Sequence, residues 1–365
     1  MIEKILVGTY TKKHSEGIYE LSLDTEKREL SEVTLVGKAG NPTYLAKSKA
    51  NRVYAIDAES DNGEKVGGLK IFDASNRPFD EIGKTLAPGS SPAYVTVDEG
   101  RQLVYTANYH MGTVTVYKIE ADGTLTQVDQ VKHTGAGPRP EQADGPHPHF
   151  ADLTPDGRLV VCDLGNDTVY IYNISDDGHL EENHRFNCAR GFGPRHIIFN
   201  PDTNMAYMVG ELASKVAVLA YDPAAGTLAL QQGISTIPRD WTAHNGAAAV
   251  RMSADHKFLY VSNRGYNSIA VFEIAEDGTL TLIDNTPSEG DFPRDFNLNH
   301  DDQFLVVVHQ NSDNATLFAR DAVTGKLTKI QQDVTVPEAS PFYSKIKLTS
   351  PQLTSLRPPP EVMSL

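Results

Sequence analysis

Pro148-His149-Phe150, Pro155-Asp156-Gly157, Leu159-Val160-Val161-Cys162-Asp163, Val169-Tyr170-Ile171-Tyr172 and Asp177-Gly178-His179-Leu180 follow one another in a single run. A proline leads a strand-like triplet, then come a polar turn, an apolar strand, a polar link and a further strand. The run before it has the same grammar: Pro92-Ala93-Tyr94, Asp98-Glu99-Gly100, Leu103-Val104-Tyr105-Thr106-Ala107-Asn108, Val114-Thr115-Val116-Tyr117 and Asp122-Gly123-Thr124-Leu125. Other copies start at Pro42, Pro194 and Pro293. One with Asn245 near the proline position runs on to Asp277-Gly278-Thr279-Leu280, and a last copy starts at Pro341. Successive starts are 50, 56, 46, 99 (two units) and 48 residues apart, which makes seven units. Short β-branched and aromatic runs bounded by Gly, Asp, Asn and Pro are strand and hairpin signals, without a sustained 3.6-residue period.

A period near fifty with about four strands per unit is that of a β-propeller blade. The expected fold is all-β, a seven-bladed β-propeller of four-stranded antiparallel blades. Its last unit has one strand, while the chain opens in mid-repeat with Leu6-Val7-Gly8-Thr9-Tyr10 and Ile18-Tyr19-Glu20-Leu21. The two ends therefore complete one blade together, which removes the open edges of a row of sheets. Residues 1–347 read as a single propeller and 348–365, with Pro358-Pro359-Pro360, as a C-terminal tail.

Composition narrows the function. The 365 residues carry 33 Lys and Arg against 48 Asp and Glu, a formal charge of −15, which argues against nucleic acid as a partner. No apolar stretch is long enough for a membrane span or a signal h-region, so the expected compartment is the cytoplasm and no membrane partner is expected. Cys162 and Cys188 match neither a disulfide framework nor a metal knuckle. Trp241 is the only tryptophan, so the Trp-Asp signature of WD40 repeats is missing. No glycine-rich phosphate cradle opens a helix and no Gly-x-Ser-x-Gly elbow occurs.

An antiparallel hairpin returns to its starting level, so residues equally spaced about its turn lie at one end of the blade. Sixteen residues separate Arg195 from Glu211, Arg294 from Gln310 and His149 from Gly165, each pair with a polar turn midway. Arg264 ends the corresponding strand of another unit. His149, Arg195, Glu211, Arg264, Arg294 and Gln310 therefore converge from four consecutive blades on one mouth of the central channel. Three arginines there make a local anion site despite the global charge, because guanidinium forks match carboxylate or phosphate oxygens. Simple ion pairing between hairpin ends is the plainer explanation of any one Arg-Glu pair. His147-Pro148-His149 offers two imidazoles to a metal, but no matched carboxylate or cysteine set accompanies them.

The chain resembles the seven-bladed propeller lactonase family, which includes bacterial 6-phosphogluconolactonases and fungal carboxy-muconate lactonizing enzymes. The resemblance rests on Leu6-Val7-Gly8-Thr9-Tyr10-Thr11, Pro146-His147-Pro148-His149, Gly193-Pro194-Arg195-His196, Gly210-Glu211-Leu212, Asn263-Arg264 and Pro293-Arg294-Asp295-Phe296-Asn297. It implies His149, Glu211, Arg195 and Arg264 as catalytic residues; His147, His196, Arg294 and Gln310 are expected beside them as substrate contacts. The implied reaction is hydrolysis of a small anionic sugar lactone, most specifically 6-phosphoglucono-1,5-lactone, with no cofactor or metal. Muconate cycloisomerisation, a metal-dependent gluconolactonase-like activity, and a non-catalytic propeller binding an anionic ligand or a protein are the alternatives. A monomer or weak homodimer is expected.

Overall fold

The computed structural model describes residues 1–343; the tail expected over 348–365 lies outside them. The described residues form seven four-stranded antiparallel sheets, and the helical content is one 3-10 turn at Pro140–Gln142. In chain order the innermost strands of six blades are β4 (Leu45–Lys47), β8 (Tyr94–Asp98), β12 (Pro148–Leu153), β16 (Pro194–Asn200), β20 (Gly246–Met252) and β24 (Pro293–Leu298). The seventh blade joins the two ends of the chain: β28 (Ala339–Tyr343) pairs with β1 (Ile2–Thr9), which continues into β2 (Gly17–Asp24) and β3 (Glu29–Lys38). The closure expected from the half-repeats is therefore present.

Burial follows position in the blade. Second strands such as Leu103–Asn108, Met205–Gly210 and Phe304–His309 are buried along their whole length, because neighbouring blades cover both faces, and they read as nearly continuous apolar runs. Fourth strands such as Leu180–Asn187 form the perimeter and alternate with solvent. The core is a ring of seams between blades rather than one centre. Tyr207, Val209 and Val218 meet Val250, Leu259 and Phe272 in one seam, and Phe304, Val306 and Val308 meet Ile5, Val7 and Leu21 in another, across the two ends of the chain.

The Asp-Gly-Thr-Leu links turn between third and fourth strands. Asp122 Oδ1 accepts from the Thr124 amide at 2.9 Å and hydroxyl at 2.6 Å, and Gly123 takes a φ of 90°, where a side chain would be strained. Asp277, Gly278 and Thr279 repeat the device. These turns also tie blades together, because Tyr54, Tyr207 and Tyr260 each donate a hydroxyl to a turn carbonyl of the next blade: Gly123 at 3.3 Å, Gly278 at 3.1 Å and Gly325 at 2.9 Å. Among the described residues no helix is long and apolar enough to cross a membrane.

Candidate active site

The leading proline of the inner strands sets up the site. Proline cannot donate to a sheet ladder and is tolerated at a strand's first residue, and here the register slips immediately afterwards. It jumps from Pro148 to Phe150, from Pro194 to His196 and from Pro293 to Asp295. His149, Arg195 and Arg294 are the residues passed over, and a bulge of this kind re-aims a side chain out of the ordinary alternation.

His149 and Arg294 reach a cavity of about 370 Å³ together with Glu211 and Arg264, within the range of roughly 300–1,000 Å³ usual for small-molecule sites. Each of the seven blades contributes to its wall, from Tyr10 in the shared blade through Thr43, Ala93, His149, Glu211 and Arg264 to Arg294. The cavity therefore lies on the axis of the ring.

Charge is organised around Glu211. Its Oε2 lies 2.7 Å from Arg264 Nη2 and 2.9 Å from Arg195 Nε; the second contact is coulombic, because that N–H is not aligned for a hydrogen bond. Burial pushes the Glu211 carboxyl up, but Arg264 and Arg195 outweigh it and hold the group below its ordinary value. Arg264 is further fixed by the carbonyls of Gly246 at 3.1 Å and Ala247 at 3.4 Å. Arg195 is 3% exposed and off the cavity wall; its Nη1 donates to Ala248 O at 2.9 Å and to His196 Nε2 at 3.2 Å. Burial, then Arg264, lowers Arg195 to about 9, which leaves it cationic at neutral pH.

His149 is 7% exposed, with a buried Nδ1 that has no hydrogen-bond partner. Burial first, then Arg195, Arg294 and Arg264, drives its pKa well below the ordinary value, so the ring is neutral. Tyr109 stands edge-on to it at 6.1 Å, and His147 stacks under Tyr109 at 4.1 Å with nearly parallel rings.

A model of the family described as "Lactonase, 7-bladed beta-propeller" matches residues 4–343. The chain belongs to this seven-bladed β-propeller lactonase family. It is 42% identical over 334 residues to the 6-phosphogluconolactonase of Bacillus subtilis, covering 91% of this chain and 95% of that one. A crystallised protein from Lactobacillus plantarum is 53% identical with a TM-score of 0.91, over 94% of this lactonase and 100% of that chain. The periplasmic gluconolactonase PpgL of Pseudomonas aeruginosa is 28% identical with a TM-score of 0.86, over 94% and 99%.

The residues singled out from the lactonase sequence do not all meet on the cavity wall. His149, Glu211, Arg264 and Arg294 share the cavity wall, and Arg195 lies buried beneath it. Gln310 stands behind, its Oε1 accepting from Arg294 Nη1 at 3.4 Å. His147 is off the wall, with Nδ1 at 2.8 Å from Tyr109 O and Nε2 at 2.9 Å from Asp144 Oδ1. His196 lies with Tyr44, Tyr94 and Phe150 around a second cavity of about 270 Å³, one residue further along the same strands. Burial and then Arg195 keep His196 neutral, so it serves Arg195 as an acceptor.

The wall also holds Tyr10, Lys12, Asn41, Lys65, Tyr109 and His110, none of which sequence reasoning proposed. A signal existed for Tyr109: it follows Ala93 by the same sixteen residues that separate Arg195 from Glu211, and Ala93 follows a leading proline. Lys12 and Lys65 had no such mark.

Proposed function

We propose that this lactonase hydrolyses a sugar lactone, 6-phosphoglucono-1,5-lactone, to 6-phosphogluconate, using water activated inside the axial cavity and no metal ion. The observation that carries this reading is a neutral imidazole lining the same cavity as two guanidinium groups: His149 with Arg264 and Arg294. The names of the relatives from Bacillus subtilis and Pseudomonas aeruginosa add support for a gluconolactone-type substrate. Sugar phosphates do not cross membranes unaided, so a phosphorylated substrate supports a cytoplasmic location for the enzyme.

Lactone opening needs a base, a partner for the carbonyl oxygen as it becomes anionic, and a proton for the departing ring oxygen. Water gives a proton to His149 as its oxygen bonds to the carbonyl carbon, and the carbonyl electron pair moves onto oxygen beside Arg264. Collapse of that intermediate breaks the bond to the ring oxygen, and the imidazolium returns its proton to the alkoxide. An imidazole of depressed pKa is a modest base, but its protonated form is a strong acid, well suited to this second transfer. Glu211 holds Arg264 in place and leaves the base role to His149, because two cations stabilise its charged form.

Among the described residues no group of three or more His, Cys, Asp or Glu side chains is placed to hold a metal ion; chelator resistance is the measurement that decides metal independence. The test is the rate of 6-phosphoglucono-1,5-lactone opening above the buffer background, with and without chelator, for wild type and His149→Ala. The expected result is a chelator-resistant rate that falls at least about tenfold in a folded variant, since general acid-base catalysis typically contributes 100- to 10,000-fold. A wild-type rate equal to background would overturn the reading.

A further inference from the structure

The cavity wall carries more positive charge than its one carboxylate balances. Arg264 is answered by Glu211, but Lys12, Lys65 and Arg294 have no carboxylate partner among the described residues. Lys65 donates only to Ser90 Oγ at 3.2 Å, and Arg294 only to Gln310. Lys12 Nζ lies 4.7 Å and Arg294 Cζ 5.4 Å from the centroid of the Tyr10 ring, so the two cations are at most about 10 Å apart. In a chain of net charge −15, such a set calls for an anion of more than one charge.

The loop that presents Lys12 is held from the far end of the chain. Glu338, 5% exposed, accepts the amides of Lys12 at 3.0 Å, Lys13 at 2.9 Å, His14 at 2.9 Å and Ser15 at 3.0 Å on its carboxylate. Its own carbonyl accepts the Tyr10 amide at 2.9 Å. A carboxylate bound by four amides is strongly localised, and it fixes the backbone at the two residues that bring Tyr10 and Lys12 to the wall.

From this geometry we infer that Lys12, with Arg294, binds the phosphate dianion of the substrate, and that Glu338 is the positioning residue that holds Lys12 there. The inference rests on the hydrolase reading for its substrate: the lactone ring is uncharged, so the phosphate is the charged end of the ligand that these cations recognise.

Calorimetric binding of 6-phosphogluconate and of gluconate separates the two ideas, because it does not depend on turnover. Wild type should prefer the phosphorylated acid by about tenfold to a hundredfold, the usual worth of a charge-assisted contact. Lys12→Gln, at an exposed residue whose replacement leaves the core intact, should cut that preference about tenfold, and Lys12→Arg should retain most of it. Glu338→Gln should lower the preference in the same direction and raise KM for the phosphorylated lactone more than it lowers kcat. A wild-type preference near one, or equal weakening of both ligands in Lys12→Gln, overturns the inference. A retained preference without lactone opening overturns the hydrolase reading instead.

Discussion

His149, Arg195 and Arg294 owe their placement to a single device, the register slip after a leading proline. That slip also separates His149 from His147: the sequence shows two histidines flanking a proline, and only the phase of the bulge decides which one meets the cavity. The depressed pKa of His149 has a kinetic sign. In the proposed mechanism its neutral form is the base, and burial with three nearby arginines moves protonation to lower pH, so background-corrected kcat/KM should stay level through pH 6.5 with its acid limb well below. A limb centred at the ordinary histidine value near 6.5 would remove His149 from the mechanism. Glu211→Ala leaves Arg195 buried without a counter-charge, and losing one partner of a buried pair costs about 3–5 kcal/mol. Denaturant midpoints at pH 7 check this, and an unchanged midpoint would show that the Ala248 carbonyl and His196 suffice for Arg195.

At the level of strands and loops, the tyrosine ties between blades are the clearest energetic units. Tyr207→Phe leaves the Gly278 carbonyl without its donor and should cost about 1 kcal/mol, read from urea unfolding. The loop over residues 10–16 should respond to acid. Burial raises the Glu338 carboxyl, but four backbone amides outweigh it and hold the group below its ordinary value. Its stabilisation is therefore fully present above about pH 4.5, the ordinary value, and is lost as pH falls through the lower folded one. Amide exchange of Lys13 and His14, measured as local protection from pH 6 down to about pH 3, should show that loop opening before the strands do. This contrast explains what could be read in advance. Strand periodicity and hairpin spacing are local, so Arg195 and Glu211 could be brought together by counting. The route of the loop carrying Lys12 is set by a residue some 325 positions away, and no local pattern carries that information. Lys65 sits near the turn of a long hairpin, paired with Ser60 and donating to Ser90, and no repeat position marks it.

For the molecule as a whole, the ring of seams makes every blade depend on its two neighbours, the shared blade included. A chain ending before Ala339 loses β28 and exposes the edge of β1, and should lose the single cooperative transition of the full chain; one ending after Lys347 should keep it. Thermal unfolding of the two truncations decides between a closed ring and blades that stand alone. Among the described residues the large exposed apolar side chains are scattered: Met1 and Ile2 share the closing blade, and Met111, Leu230 and Val323 belong to three others, so sedimentation at micromolar concentration should give a monomer. Repeat counting made this architecture legible, because seven prolines or their substitutes mark seven inner strands. The closing blade brings one more consequence. Glu338 is synthesised 326 residues after Lys12, whose loop it holds. A nascent chain therefore exhibits His149, Arg195 and Arg264 long before the loop carrying Lys12 has its anchor, and by the inference above it should hold a doubly charged ligand only once that anchor has emerged.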